Sequence, residues 1–578
     1  MGENELGLRY WPSQRVSRRR LLGGVAVAGA AVAAVGVVGC ASGKKTAGGN
    51  STPVVQGTAV VNDGTQDGPP THLGGILNQR MADALPSLNP FGPSILSLVQ
   101  GLFLGFTVYD HMWYVPTDTG IRELFLATSV EQPDPEGLTI ICKIGDATFH
   151  NKPPVNGRAV KASDIAASYK LFAQQLPVGF DYLHDVMQDV VAVDDHTVKI
   201  TQKRPWAWAF TSSNAGSPWS SSILPEELLD KPDFLAKDAI GSGQWVLASH
   251  DNGANVKLRK FDKFRQFAGT KSVPGQPYLD GIDFKMIADG APALAAFRAG
   301  QTDTYTFDTR TESEDTKQAL GDKIAVGSDL ARDYFCLMLK YEPPFNDIRV
   351  RHAFNLLIDR DEITQLMVEG SALKCPPVPP AHKKYQLPDS DPDLQAYFTH
   401  DVAEAKKLLD AAGYDYDQVH EFKHSVRPGD AQVSQILQQQ LQAGGVKTRL
   451  APEDLVKWFS QSLGTGNFHM TAFNHIPYED PDLPLRFYLA GEGNMKNFMG
   501  YSNDAVNQAI LAAAEELDED ARVQKVLAAQ KAIINDWSPM LNLYSQINYV
   551  SRYSYVKGAI TGRGSMGLFA RTIWLDKA

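Results

Sequence analysis

The rhythm of hydrophobic and polar positions changes twice before it settles. From Leu21 to Gly39 every residue is uncharged, and most are Ala, Val or Gly. From Ala41 to Pro70 large apolar residues are few among Gly, Ser, Thr, Asn, Asp and Pro. Past Thr71 strand-like and helix-like stretches alternate, with no repeat and no low-complexity tract. Leu138–Ile144 is apolar apart from Thr139 and Lys143 and predicts a strand. A helix is expected over Asp164–Phe172, with Ser163 as its N-cap. Asp347–Ile358 predicts another, with Ala353, Phe354, Leu357 and Ile358 on one face. Asp359-x-x-Glu362 has the spacing of a capping box and starts a further helix. Asp401-x-x-Glu404 repeats the device before Ala405, Leu408, Leu409 and Ala412, and Gly413 sits where a left-handed C-cap belongs. Such alternation predicts an α/β body of at least two lobes. The 578-residue chain also exceeds what one core supports, roughly 250–300 residues.

The N-terminal pattern is an address. Ser17-Arg18-Arg19-Arg20-Leu21-Leu22 resembles the twin-arginine export motif, with Arg18 and Arg19 as the pair. Val37-Val38-Gly39-Cys40 resembles a lipobox cut before the cysteine. A plain membrane anchor is the alternative, since 19 uncharged residues nearly span a bilayer. The dominance of Ala and Gly favours a cleaved signal. Residues 1–39 are therefore expected to be a signal peptide, Cys40 the lipidation site, and 40–70 a disordered tether. Two acyl chains on Cys40 would anchor stably, and thirty such tether residues reach roughly 30 Å.

Composition narrows the classes. The chain is 43% hydrophobic and 21% charged, as globular proteins are, with net charge -11. Residues 1–39 hold five basic and two acidic residues, so the remainder is nearer -14 and has no long basic run. A nucleic-acid partner is not expected, because phosphate binding needs clustered positive charge. Besides Cys40 there are Cys142, Cys336 and Cys375, none in CxxC spacing, so at most one disulfide can form. They read as buried small apolar residues.

A collinear series of motifs runs through the body. Gly74-Gly75-Ile76-Leu77 and Leu85–Pro90 open it. Asn156-Gly157-Arg158 with Lys161-Ala162-Ser163-Asp164-Ile165 resembles NGRxxTAxDV. Tyr278–Ile282 through Ala299–Asp303 resembles an LDGI…AGxxD block. Pro344-Phe345-Asn346-Asp347-Ile348-Arg349-Val350-Arg351-His352-Ala353, followed by Ile358-Asp359-Arg360, resembles PFxDxRVRxAxxxxIDR. Tyr397–Tyr414, Asp480-Pro481-Asp482 and Gly500–Asn503 complete a series covering 71–578. In this order the segments resemble the large extracellular solute-binding proteins of ABC importers, the oligopeptide, dipeptide and nickel-binding family. The PFNDIRVR motif itself reads as structural, marking the family without marking its site.

The resemblance implies an α/β, two-lobed periplasmic-binding-protein-like clamp of type II, large peptide-binding subclass, with an extra subdomain in the first lobe. Lobe I would be 71–330, with the subdomain at about 113–230, lobe II 331–544, and 545–578 a return to lobe I. The chain would cross near Tyr334–Leu339 and Tyr544–Asn548, and these strands would form the hinge.

Catalysis finds no footing. HExxH, Walker A and GxSxG are absent; Gly562–Gly567 fits G-x-G-x-x-G without room for its strand–helix–strand unit, and Ser554–Lys557 fits SxxK without its companion motifs. His469 and His475 are six apart, which suits no usual metal helix, so neither metal nor other cofactor is expected. Trp206, Trp208, Trp219 and Trp245 offer aromatic surface that is mostly core, with Trp245 kept as a contact. By family position the solute contacts would be Asn89, Phe91 and Ser94 in the first lobe, and Arg427, Pro428, Gly429, Phe473, Asn474, His475 and Tyr478 in the second. Peptide-binding relatives place an amino-anchoring aspartate three residues before the DPD-like triplet, and Pro477 stands there in this chain. Loss of that acid beside Arg427 predicts a site turned away from cations, with Arg427 meeting a carboxylate; the alternative pairs Arg427 with Asp430 at the surface. The expected partners are a peptide-like small solute, an ABC permease and ATPase, and the membrane through the lipid; a monomer is expected. Sugars, opines and metal complexes stay open as solutes, and so does a sensor that signals without transport.

Overall fold

The computed structural model describes residues 67–577, apart from 83–84, 86, 92–103, 106, 115–122, 176–181, 211–221, 265–274, 332, 476–479, 491–496 and 559–571. Arg18, Arg19, Cys40, Ser94, Trp219, Pro477, Tyr478, Glu479 and the Gly562–Gly567 motif lie outside the described residues. No helix among the described residues is long and apolar enough to cross a membrane.

The first family motif is a backbone device. Strand Ile76–Met81 runs parallel to Gly281–Met286, which pairs antiparallel with Asn255–Lys260, and that in turn with Trp245–Asp251. Gly74 and Gly75 enter this sheet at φ 98° and 87°, the left-handed region that favours glycine. The Asp280 carboxylate accepts from the Gly75 N–H at 2.8 Å, and a Cβ on Gly74 would fall 2.8 Å from the same oxygen. The two motifs thus read as one joint.

A second sheet is wholly antiparallel, in the order Ala127–Glu131, Thr139–Ile144, Thr197–Gln202, Met187–Asp194. Its second strand starts one residue later than expected, because Asp134 takes the Leu138 and Thr139 N–H groups at 2.6 and 2.8 Å. Helix Ala162–Gln175 packs on this sheet. Ser163 lies inside it rather than capping it. Asp164 is the anchor instead, accepting from Lys161 N–H at 2.8 Å and holding Arg158 through both guanidinium nitrogens at 2.6 and 2.9 Å.

The third sheet has eight strands and one long shared member. Met540–Tyr553 pairs through Met540–Tyr544 with Phe335–Leu339, then through Ile547–Tyr553 with Ile324–Leu330 and through Tyr549–Arg552 with Thr304–Phe307. Beyond Phe335–Leu339 the order continues through Met470–Asn474, Val419–Ser425 and Lys447–Glu453. One core cluster covers this latter half, from Phe335 to Tyr544. Helices Ile348–Leu356, Arg360–Val368 and Val402–Ala412 supply it; Asp359 and Asp401 cap the latter two as predicted, and Asp347, expected as the first helical residue, caps the first. Ala353, Phe354, Leu357 and Ile358 are all fully buried there. Cys142, Cys336 and Cys375 are free and buried, as small apolar residues are. The molecule is a mixed α/β two-lobed clamp.

Candidate functional site

Val419–Ser425 is parallel to both Lys447–Glu453 and Met470–Asn474. Their C-terminal ends, Ser425, Glu453 and Asn474, therefore share one edge, and Phe335 enters it from the antiparallel strand opposite Asn474. In open α/β sheets the crevice at the carboxyl ends of parallel strands is where ligands sit. Helix Pro428–Ala443 begins at that edge, with Arg427 as N-cap residue and Pro428 in the first turn. Proline suits that turn because its missing N–H had no helical partner.

A chain of polar contacts fixes the edge. Ser425 Oγ accepts from Arg427 N–H at 3.2 Å and donates to Asp430 Oδ2 at 2.5 Å. Asp430 Oδ1 accepts from Asn474 N–H at 3.2 Å, and Asn474 Nδ2 donates to Asp333 Oδ2 at 2.6 Å. Burial pushes the carboxyls of Asp333 and Asp430 above the usual carboxylate range, against the hydrogen bonds they accept. The Tyr544 ring stacks on Phe335, centroids 5.1 Å apart. Its hydroxyl is buried and makes no hydrogen bond among the described residues. Burial, then the Asp333 and Asp430 charges, raise its pKa.

Beside this edge lies an aromatic wall. The His475 ring stacks on Tyr334 at 4.6 Å and meets Phe473 at 4.5 Å and Phe487 at 4.4 Å, while the His475 backbone N–H donates to Tyr334 O at 2.8 Å. The DPD triplet turns inward: Asp482 accepts from Arg486 Nε at 3.1 Å, and both side chains are at most 2% exposed. Arg486 Cζ lies 4.4 Å from the Trp206 ring.

Of the residues singled out from sequence beyond Val426, the described ones come together here, Tyr478 lying outside the described residues. Arg427 and Pro428 are exposed, Gly429 and Asn474 half-buried, Phe473 and His475 buried. Gly429 approaches so closely that a Cβ would touch Phe335 Cζ at 3.4 Å. The first-lobe residues are elsewhere. Asn89 Oδ1 accepts from Phe91 N–H at 2.9 Å, which packs Phe91 on Phe172 with ring centroids 4.5 Å apart. Trp245 is 0% exposed at the start of its strand. Phe91 and Trp245 serve the core, within the same hydrophobic cluster as Tyr334, Phe473 and Phe487.

Two readings change. Asp430 is no surface partner for Arg427, since it is 4% exposed and held by Ser425 and Asn474. Nor is the neighbourhood stripped of acid, because Asp333 and Asp430 flank Asn474. Sequence reasoning missed Asp333, Ser425 and Tyr544. Strand-end position was the available signal for Ser425, while Asp333 and Tyr544 are placed by pairings no local pattern announces. Among the described residues no group of three or more His, Cys, Asp or Glu could hold a metal.

A two-lobed clamp with a polar, helix-capped crevice is a binding receptor's architecture. The family model for bacterial extracellular solute-binding proteins, family 5 Middle, matches residues 123–497, and the chain belongs to that family. It is 25% identical over 426 residues to the glutathione-binding protein GsiB of Escherichia coli O1:K1, covering 70% of this chain and 78% of that one. Its fold matches DppA from Helicobacter pylori in complex with peptide STSA, with TM-score 0.71 and 23% identity over 88% of this chain and 99% of that one. It also matches AgaA from Agrobacterium in complex with agropinic acid, with TM-score 0.72 and 19% identity over 87% and 99%.

Proposed function

We propose that this chain is the lipid-anchored extracytoplasmic receptor of an ABC importer, capturing a peptide-like small solute and delivering it to the permease and ATPase. Lobe I is 71–330 with its subdomain at about 113–230, lobe II is 331–544, and 545–578 returns to lobe I. Cys40 carries the lipid, Arg18 and Arg19 direct export, and 40–70 is the tether. The observation that carries the reading is strand Met540–Tyr553, which changes partners between Tyr544 and Ile547 beside the Arg427 edge. A strand shared by two groups of strands lets them rotate while the backbone ladder stays intact, which is how hinge closure around a ligand works. The solute sits against Arg427, Pro428, Gly429, Phe473, Asn474, His475 and Tyr478 from the second lobe, and Asn89, Phe91, Ser94 and Trp245 belong to the first-lobe side. GsiB binds glutathione by name, and the DppA structure holds a peptide, which supports a peptide-like solute.

The test is native mass spectrometry of the processed protein for a co-purified solute, followed by small-angle scattering with and without it. A retained small molecule and a smaller radius of gyration on adding it are expected. Catalytic turnover of the solute would overturn the receptor reading. Cys40→Ser is expected to release the protein from membranes or leave its precursor uncut; normal processing with unchanged retention would remove the lipid.

A further inference from the structure

The Arg427 edge carries two carboxylates in no direct ion pair among the described residues, Asp430 feeling Arg427 and His424 only at longer range, and a phenol with no hydrogen-bond partner. Among the described residues neither Asp333 nor Asp430 makes an ion pair, although buried acids ordinarily need a cation or several donors. Asp430 has the Ser425 hydroxyl and the Asn474 N–H; Asp333 has Asn474 Nδ2. The Tyr544 hydroxyl, in a residue 1% exposed, has no hydrogen-bond partner among the described residues and feels the charges of both Asp333 and Asp430. Asp333 is half-buried, the most exposed of the three, and so the member a solute would reach first.

We propose that Asp333, Asp430 and the Tyr544 hydroxyl form a subsite for a cationic donor on the solute, a primary ammonium or a guanidinium, with exposed Arg427 left for an acceptor at the solute's other end. The inference rests on the receptor reading and names the chemistry its crevice takes. A cation is favoured over a neutral donor because it offsets two buried acids at once and brings several N–H groups to three oxygen acceptors. An anionic group would add a third negative charge at the same place.

The experiment is isothermal titration of the processed protein with four probes: L-alanyl-L-alanine, glutathione, N-acetyl-L-alanyl-L-alanine and maltose. Each titration is paired with scattering, on wild type, Asp333→Asn and Tyr544→Phe. Tyr544→Phe keeps the ring stacked on Phe335 and removes the hydroxyl alone, so it guards against a misfolded carboxylate variant. An amine-bearing probe is expected to bind and compact the protein, to weaken at least tenfold on N-acetylation, to weaken tenfold or more in Asp333→Asn, and to weaken several-fold in Tyr544→Phe. Equal binding of the acetylated dipeptide overturns the subsite. So does binding and compaction by maltose that both variants leave unchanged, and either result leaves the receptor reading standing. Failure of all four probes to bind or compact the protein counts against the subsite and the receptor reading together.

Discussion

Arg351 and Arg360 belong to the motif that marks the family, and both turn inward. Arg351 Nε donates to Trp537 O at 2.6 Å, and its Nη atoms reach Phe345 O, Asn346 O and Asp536 at 2.8–3.2 Å. Trp537 sits at φ 47°, a strained conformation for a bulky residue, with its ring on His352 at 3.8 Å. One guanidinium thus fastens a strained turn to a helix, and no lysine offers that planar fork. Arg351→Met should lower stability by about 3–5 kcal/mol, since the acceptors would lose a buried charged donor; urea unfolding followed by tryptophan fluorescence measures it. His150 adds a pH dependence. Burial pushes its pKa down to about 4 from 6.5. Its Nδ1 faces Gly241 N–H at 3.4 Å and its Nε2 faces Gly243 O at 2.9 Å, which fits a neutral ring protonated on Nε2. Below pH 6.5 the unfolded chain takes up a proton that the fold resists, so the contribution is complete above that pH and lost as pH falls toward 4. It amounts to about 3 kcal/mol. His420, also lowered to about 4 by burial, acts in the same direction. Denaturant midpoints should fall steadily across this window; a flat profile would contradict the assignment.

At the scale of elements, what the sequence made legible was local chemistry. Asp359 and Asp401 accept from Glu362 and Glu404 N–H at 2.9 Å each, at the spacing that announced them. Gly413 closes Val402–Ala412 at φ 69°. A Cβ there would meet nothing within 4 Å, so Gly413→Ala should cost about 1 kcal/mol purely through backbone strain, and Gly413→Asn less. Asp401→Ala should also cost about 1 kcal/mol for the lost cap. Thermal unfolding of the three variants checks both, and an unchanged Gly413→Ala midpoint would remove the left-handed cap as the cause. Long-range pairing was less legible. The expected cap at Ser163 failed because Asp164 and Arg158, six residues apart, anchor the helix through a contact that helical periodicity does not encode. Asp333 and Tyr544 escaped notice as site residues for a similar reason: a side-chain hydrogen bond spanning 141 residues joins Asn474 to Asp333, and a ring stacked across strands places Tyr544.

At the scale of the whole molecule, residues 203–210 reach across to a distant part of the chain. Ala207 N–H donates to Ala514 O at 2.7 Å, Trp206 covers Arg486, and Trp208 lies 5.7 Å from Tyr385 and 5.0 Å from Arg522 Cζ. Arg204 approaches Glu515 at 3.8 Å, but both are about a third exposed or more, so that pair contributes little. Under the lobe assignment proposed above these contacts join lobe I to lobe II, and both indoles are buried, Trp206 at 1% and Trp208 at 4% exposed. None of them touches the Arg427 edge among the described residues. They therefore bias the clamp toward closure without contacting the solute, and apparent affinity depends on the closed fraction they maintain. Trp206→Ala combined with Trp208→Ala should enlarge the radius of gyration of the solute-free protein and speed solute release. It should also weaken binding of the co-purified solute about tenfold, equivalent to 1.4 kcal/mol of lost closure. Asp333→Asn should instead weaken binding with no change in the solute-free radius. Scattering and stopped-flow release on both variants separate the two effects. A double tryptophan variant with wild-type radius and release rate would show that closure is set at the hinge strand alone.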